Sequence, residues 1–111
     1  MILQTVVETS EFIKSASICM EEESKREFID FIAKNPFAGD LIRGTGGARK
    51  IRWQAEAHKG KRGGVRVIYY FHNSDLPLFL FTVYKKNQKE NLSLIEKQDL
   101  KKIINLIVKA Y

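Results

Sequence analysis

The chain has 111 residues, 44% hydrophobic and 29% charged, with a net charge of +6, a length and mix that suit a single domain over residues 1–111 and exclude a disordered or fibrous design. A lone cysteine, Cys19, excludes an internal disulfide and reads as a small packing residue, and no Cys/His cluster has metal-ligand spacing, so neither metal nor cofactor is expected. No apolar run is long enough to span a bilayer or form a signal h-region, which points to a cytoplasmic protein without a membrane partner.

Residues 3–7 read as a short strand, after which Thr9 or Ser10 caps a helix with Phe12, Ile13 and Ala16 on its apolar side. That pattern breaks near residues 18–20. Glu21, Glu22 and Glu23 then place acids at the start of a second helix, where they complement its dipole, and Phe28, Ile29, Phe31 and Ile32 supply its buried face. Asn35 ends it, because a residue before proline is pushed out of the helical region. Gly39, Gly44, Gly46 and Gly47 mark residues 36–47 as a loop. Three strand-like runs follow, 48–54, 65–71 and 78–84, separated by turn signals at 60–64 and 73–75. Ser93 and Glu96 fit a capping box that opens the last helix, whose Leu100, Ile103, Ile104, Ile107, Val108 and Tyr111 recur at helical spacing. This stripe either docks on the protein's own sheet or partly serves a partner. The sum is an α+β fold around one hydrophobic core: an N-terminal strand and two helices, then an antiparallel β-meander and a C-terminal helix.

The charge is concentrated. Seven of the 19 basic residues (Arg49, Lys50, Arg52, Lys59, Lys61, Arg62 and Arg66) and one of the 13 acids, Glu56, lie within 49–66, so this window carries +6 and the other 12 of each sign cancel. Such a patch is the footprint of a polyanion, whose condensed counterions are released when lysine or arginine meets phosphate. The plainer alternative is a solvated hairpin tip. Alternation along a strand separates Ile51 and Trp53, suited to the core, from Lys50, Arg52 and Gln54 on the other face. It likewise sets Arg66, Ile68 and Tyr70 opposite Val65, Val67, Tyr69 and Phe71. Pairing these strands brings Arg66 close to Lys50 and Arg52, and adjacent like charges repel unless an anion sits among them. Tyr84 and Lys86 share a parity and join this face from the neighbouring edge if their strand continues.

Residues 55–64 interleave glycines with Lys59, Lys61 and Arg62, a composition suited to gripping a sugar-phosphate chain rather than cutting it. Arg49 belongs to the same RNA-binding set. His58 and His72 read as bystanders, and Trp53 as core rather than as a stacking platform. Tyr84 either stacks on a base or donates a proton, or simply packs its ring. No Ser/His/Asp or Cys/His arrangement, nucleotide-binding glycine motif or paired acids stand out. The remaining Lys, Arg and Tyr suit cleavage by the RNA's own 2′-hydroxyl: the protein aligns the backbone, withdraws a proton and neutralises charge building on phosphorus. DNA lacks that nucleophile.

Three segments, Arg43-Gly44-Thr45-Gly46-Gly47-Ala48-Arg49-Lys50-Ile51-Arg52, Gly60-Lys61-Arg62-Gly63-Gly64-Val65-Arg66-Val67-Ile68-Tyr69-Tyr70 and Thr82-Val83-Tyr84-Lys85-Lys86-Asn87, resemble the HigB branch of the RelE-type toxins in order and spacing. The order of helices and strands extends the resemblance over nearly the whole chain. It implies a RelE-like fold and a toxin of a type II toxin-antitoxin pair. Such a toxin is a ribosome-dependent, metal-independent endoribonuclease that cuts mRNA in the A site, leaving a 2′,3′-cyclic phosphate and a 5′-hydroxyl. It also implies a helix-turn-helix antitoxin of the HigA type, through which alone the toxin meets operator DNA. Carried over by residue, the family's basic strand pair falls on Lys50 and Arg52, its phosphate-stabilising arginine on Arg66 and its late basic position on Lys86. Tyr84 is the candidate for a late tyrosine, while Tyr111 belongs to the helix stripe. In the mechanism this suggests, Lys50 is the general base, Arg52 and Arg66 stabilise the transition state, and Lys86 or Tyr84 assists the departing 5′-oxygen. Two other readings use the same charge: a non-catalytic module that blocks translation by occlusion, and a subunit that meets an acidic protein.

Overall fold

The computed structural model describes residues 4–57 and 64–111; His58, Lys59, Lys61 and Arg62 therefore lie outside the described residues. The elements are β1 (Val6–Glu8), α1 (Ser10–Cys19), α2 (Glu22–Lys34), β2 (Asp40–Leu41), β3 (Arg49–Trp53), β4 (Val65–Tyr70), β5 (Leu78–Lys85) and α3 (Leu94–Ala110). Their strands form one five-stranded sheet in the order β1-β5-β4-β3-β2. β3, β4 and β5 are the expected meander, β2 adds a short antiparallel edge, and β1 runs parallel to β5 at the other edge.

Local chemistry fixes the helices. Thr9 is the cap of α1: its Oγ1 accepts from the Phe12 N–H at 3.2 Å and donates to the Leu80 carbonyl at 2.8 Å, so the cap also ties the helix to β5. Further along, Ser15 Oγ accepts from the Val83 N–H at 3.0 Å, and α1 thereby covers backbone that β1 is too short to pair. Phe12 and Ala16 are buried as expected, whereas Ile13 is 51% exposed. α2 ends at Asn35 and buries Phe28 and Ile32, with Ile29 and Phe31 packed partly beneath it.

The expected single core is two cores, one on each face of the sheet. Under α1 and α2 lie Phe12, Phe28, Ile32, Trp53, Val65, Val67 and Tyr69; under α3 lie Ala48, Ile68, Tyr70, Phe79, Leu100 and Ile104. Trp53 is a core residue, meeting Phe28 edge-on at 5.3 Å and donating from Nε1 to the Ser24 carbonyl at 3.1 Å. A β-bulge serves both cores: between Ile68 and Tyr69 the pairing steps from Thr82 to Leu80, leaving Phe81 as the extra residue. It lets Leu78, Leu80 and Val83 join the first core while Phe79, Phe81 and Tyr84 join the second.

α3 carries the full capping box, with the Glu96 N–H bonded to Ser93 Oγ at 3.1 Å and the Ser93 N–H to Glu96 Oε1 at 2.8 Å. Its stripe is split: Leu100 and Ile104 are buried on the sheet, while Ile103, Val108 and Tyr111 face outward. Before β3, the chain turns through Gly44, Gly46 and Gly47, all with positive φ. A side chain at Gly47, with φ at 126°, would sit 3.0 Å from the Tyr70 ring, so glycine is required there for both backbone and space. Among the described residues, no helix is long and apolar enough to cross a membrane.

Candidate functional site

The sheet register assembles the basic residues. Arg52 pairs across with Arg66, and Arg66 with Tyr84, making one transverse row over β3, β4 and β5; Lys50 lies two residues from Arg52 on the same face, opposite Ile68. Directly opposed side chains in a sheet start about 5 Å apart at Cβ, so the two guanidinium stems stand side by side. This face is the one α3 covers, because Ile68 and Tyr70 share the parity of Arg66 and lie in the α3-side core. In β4 every residue but Arg66 is buried. α3 stops short of the row, and Arg52 is exposed while Lys50 and Arg66 are half-buried.

The segment between β5 and α3 forms a wall beside the row. Lys50 Nζ donates to Asn91 Oδ1 at 3.1 Å. Tyr84 donates its hydroxyl to the Glu90 carbonyl at 3.2 Å, and Lys89 Nζ stands 4.9 Å from the centre of its ring. Lys89 in turn pairs with Glu96 in the first turn of α3. Burial pushes the Tyr84 phenol above its ordinary range, against a partly opposing pull from Arg66, so the hydroxyl keeps its proton at neutral pH. Glu96 is held below the usual carboxylate range, chiefly by the hydrogen bond from Lys89 and then by that from the Ser93 N–H.

Of the alternatives for Tyr84, the geometry matches a packed ring. Its ring is 5% exposed and covered, so it is not a stacking surface; its hydroxyl already has an acceptor, and it serves as the foot of the wall. Arg49 lies apart from this row. It shares the parity of Ile51, and its guanidinium donates to the Gly39 carbonyl at 2.7 Å and stands 5.2 Å from the centre of the Phe37 ring, on the face away from Lys50. That side chain ties β3 to the preceding loop. Lys86 does not extend the strand, which ends at Lys85; it is exposed in the turn that follows, its N–H bonded to the Gly64 carbonyl at 3.3 Å beside the end of β4. The expected grip of Lys59, Lys61 and Arg62 falls outside the described residues.

The sequence reading missed Asn91, which reaches the site through a contact 41 positions away, and Lys89, which meets Tyr84 and Glu96 within the segment between β5 and α3. It also missed Lys97 and Lys101, whose stems lie against Gly44 and Gly46 and carry positive charge along the same side of the molecule. Elsewhere, Cys19 is buried and packs near the Val83 carbonyl, and His72 Nδ1 lies 2.8 Å from the Tyr70 hydroxyl. A groove of about 510 Å³ between the start of α1 and α3 is lined by Glu11, Phe81, Glu96, Asp99 and Ile103 among others. Among the described residues, no three His, Cys, Asp or Glu side chains are grouped to hold a metal ion.

No protein-family model matches the chain. Its structure is similar to that of the E. coli toxin RelE, solved as a doubly substituted mutant in the free state, with a TM-score of 0.57, 12% sequence identity, and 98% of each chain covered. The likeness is one of fold, and the chain has the RelE-like α+β architecture expected from its sequence.

Proposed function

We propose that the protein is an endoribonuclease toxin of a type II toxin-antitoxin system that cuts mRNA in the ribosomal A site and is neutralised by a HigA-like helix-turn-helix antitoxin. The observation that carries this reading is the row of Arg52 and Arg66 with Lys50 beside it, three cations on one open face of the sheet. Adjacent like charges are costly in an empty site and favourable around a phosphate. The RelE-like fold and the resemblance of residues 43–52, 60–70 and 82–87 to HigB toxins support the same reading. So do the further cations Lys97 and Lys101 alongside the glycine turn.

In this mechanism the bound backbone lies with its scissile phosphate over Arg66. Lys50 serves as general base and takes the 2′-hydroxyl proton as the 2′-oxygen attacks the adjacent phosphorus. Arg52 and Arg66 neutralise the charge of the pentacoordinate transition state. The phosphorus–O5′ bond then breaks, and Lys86, in the turn after β5, gives a proton to the departing 5′-oxygen. A cyclic phosphate and a 5′-hydroxyl result, with no further reactant. Tyr84 holds the wall and takes no part in proton transfer.

One observation favours a second reading, occlusion without cleavage: the Tyr84 hydroxyl is already bonded to Glu90, which leaves the row with cations alone. Primer extension on transcripts from cells expressing the protein separates the two. Cleavage gives new 5′-hydroxyl ends within codons; stalled translation on intact mRNA means occlusion.

A further inference from the structure

The wall beside the basic row contains a neutral acceptor in a place where a charged one would alter the site. Lys50 Nζ donates to Asn91 Oδ1 at 3.1 Å, across 41 positions of sequence. Asn91 is itself held from both sides. Before it, the Glu90 carbonyl accepts the Tyr84 hydroxyl at 3.2 Å; after it, Leu92 is buried in the α3-side core and Ser93 caps α3 through the reciprocal bonds with Glu96. Lys89, paired with Glu96 and set over the Tyr84 ring, closes the same segment. Asn91 is exposed, between the Glu90 carbonyl that Tyr84 bonds and the buried Leu92.

A lysine on a four-carbon stem loses rotamer freedom when it is fixed, and a compact ammonium has no planar fork to orient it. A fixed acceptor supplies the orientation. A carboxamide oxygen does so without cancelling the charge, leaving two ammonium donors and the full positive field for a phosphate. A carboxylate in the same place would form an ion pair, cancel the charge of the amine and repel the RNA backbone. We infer that Asn91 is a positioning residue for Lys50, fixing its amine beside Arg52 and Arg66 while leaving its charge free for RNA. This inference rests on the RNA-cleaving reading for its consequence, though the hold of Asn91 on Lys50 does not.

The test uses the full chain and two readouts. Nitrogen-15 NMR of lysine ammonium groups, with the Lys50 signal assigned by its loss in Lys50→Arg, reads the hold directly. The wild type is expected to show a motionally restricted Lys50 ammonium, Asn91→Ala a mobile one, and Asn91→Asp a restricted one. Cleavage of mRNA on programmed ribosomes reads the consequence. Asn91→Ala should lower kcat about tenfold, the scale of one hydrogen bond to a charged group, with the half-saturating ribosome concentration little changed. Asn91→Asp should instead raise that concentration, a split between the two variants that mere loss of folding stability does not produce. Asn91→Ala should have no further effect in a Lys50→Ala background. A Lys50 ammonium equally restricted in Asn91→Ala overturns the inference. So does wild-type cutting by both Asn91 variants where Lys50→Ala is inactive. If the wild type cuts no RNA, the cleavage reading falls, and the NMR comparison alone decides whether Asn91 holds Lys50.

Discussion

Arg66 stands between a second arginine and a buried tyrosine, on the α3-side face of a strand otherwise buried along its length. Nothing in the fold's packing requires a cation there, and removing it relieves repulsion from Arg52. Arg66→Ala is therefore expected to abolish growth inhibition while its unfolding midpoint stays at or slightly above that of the wild type; a folded, still toxic variant contradicts the assignment. Arg49 is the opposite case, since its guanidinium serves the Phe37–Gly39 loop. Arg49→Ala should cost about 1 kcal/mol in urea unfolding and leave ribosome affinity unchanged. The separation of these arginines was legible in strand parity: the alternation that puts Lys50 and Arg52 opposite Ile51 also puts Arg49 with Ile51. Asn91 was not legible, because no local pattern announces a contact made with Lys50 across 41 positions, and Lys89 was not, because a lone lysine before a helix reads as a solvated charge until Tyr84 and Glu96 are placed beside it.

Among the elements, α3 does most to set the site, since its capping box anchors the wall that ends at Ser93. Ser93→Ala should destabilise the protein by about 1 kcal/mol in denaturant titration and lower RNA cleavage through the displaced wall. Glu96 adds a pH dependence. Its carboxyl is depressed in the folded state, so its stabilisation is present above the ordinary carboxylate range and lost as pH falls through the lower folded value. Glu96→Gln should thus be less stable than the wild type at neutral pH, with the difference closing in acid. The capping box was plain in the sequence because its four residues are contiguous. The bulge at Phe81 was not, because residues 78–81 are apolar and both sheet faces are buried, so alternation carries no signal there. For the same reason the β4 pattern suggested one buried face where there are two.

At the scale of the molecule, a neutral body carries its whole excess of +6 in residues 49–66. The sheet places Lys50, Arg52 and Arg66 from that window on one face, beside the side along which Lys97 and Lys101 lie. Binding that neutralises about three phosphates of single-stranded RNA should show a log–log salt slope near about −2, and Arg52→Ala should reduce its magnitude by roughly one phosphate's share, about 0.7. The central claim is that the α3-side row, and not positive charge in general, performs the cut. Its most direct test compares purified wild type, Arg66→Ala and Arg49→Ala, each confirmed folded by circular dichroism, for 5′-hydroxyl ends released from mRNA on programmed ribosomes. Cleavage is expected from the wild type and Arg49→Ala and none from Arg66→Ala. Equal cleavage by all three, or loss in Arg49→Ala with cutting retained in Arg66→Ala, contradicts it.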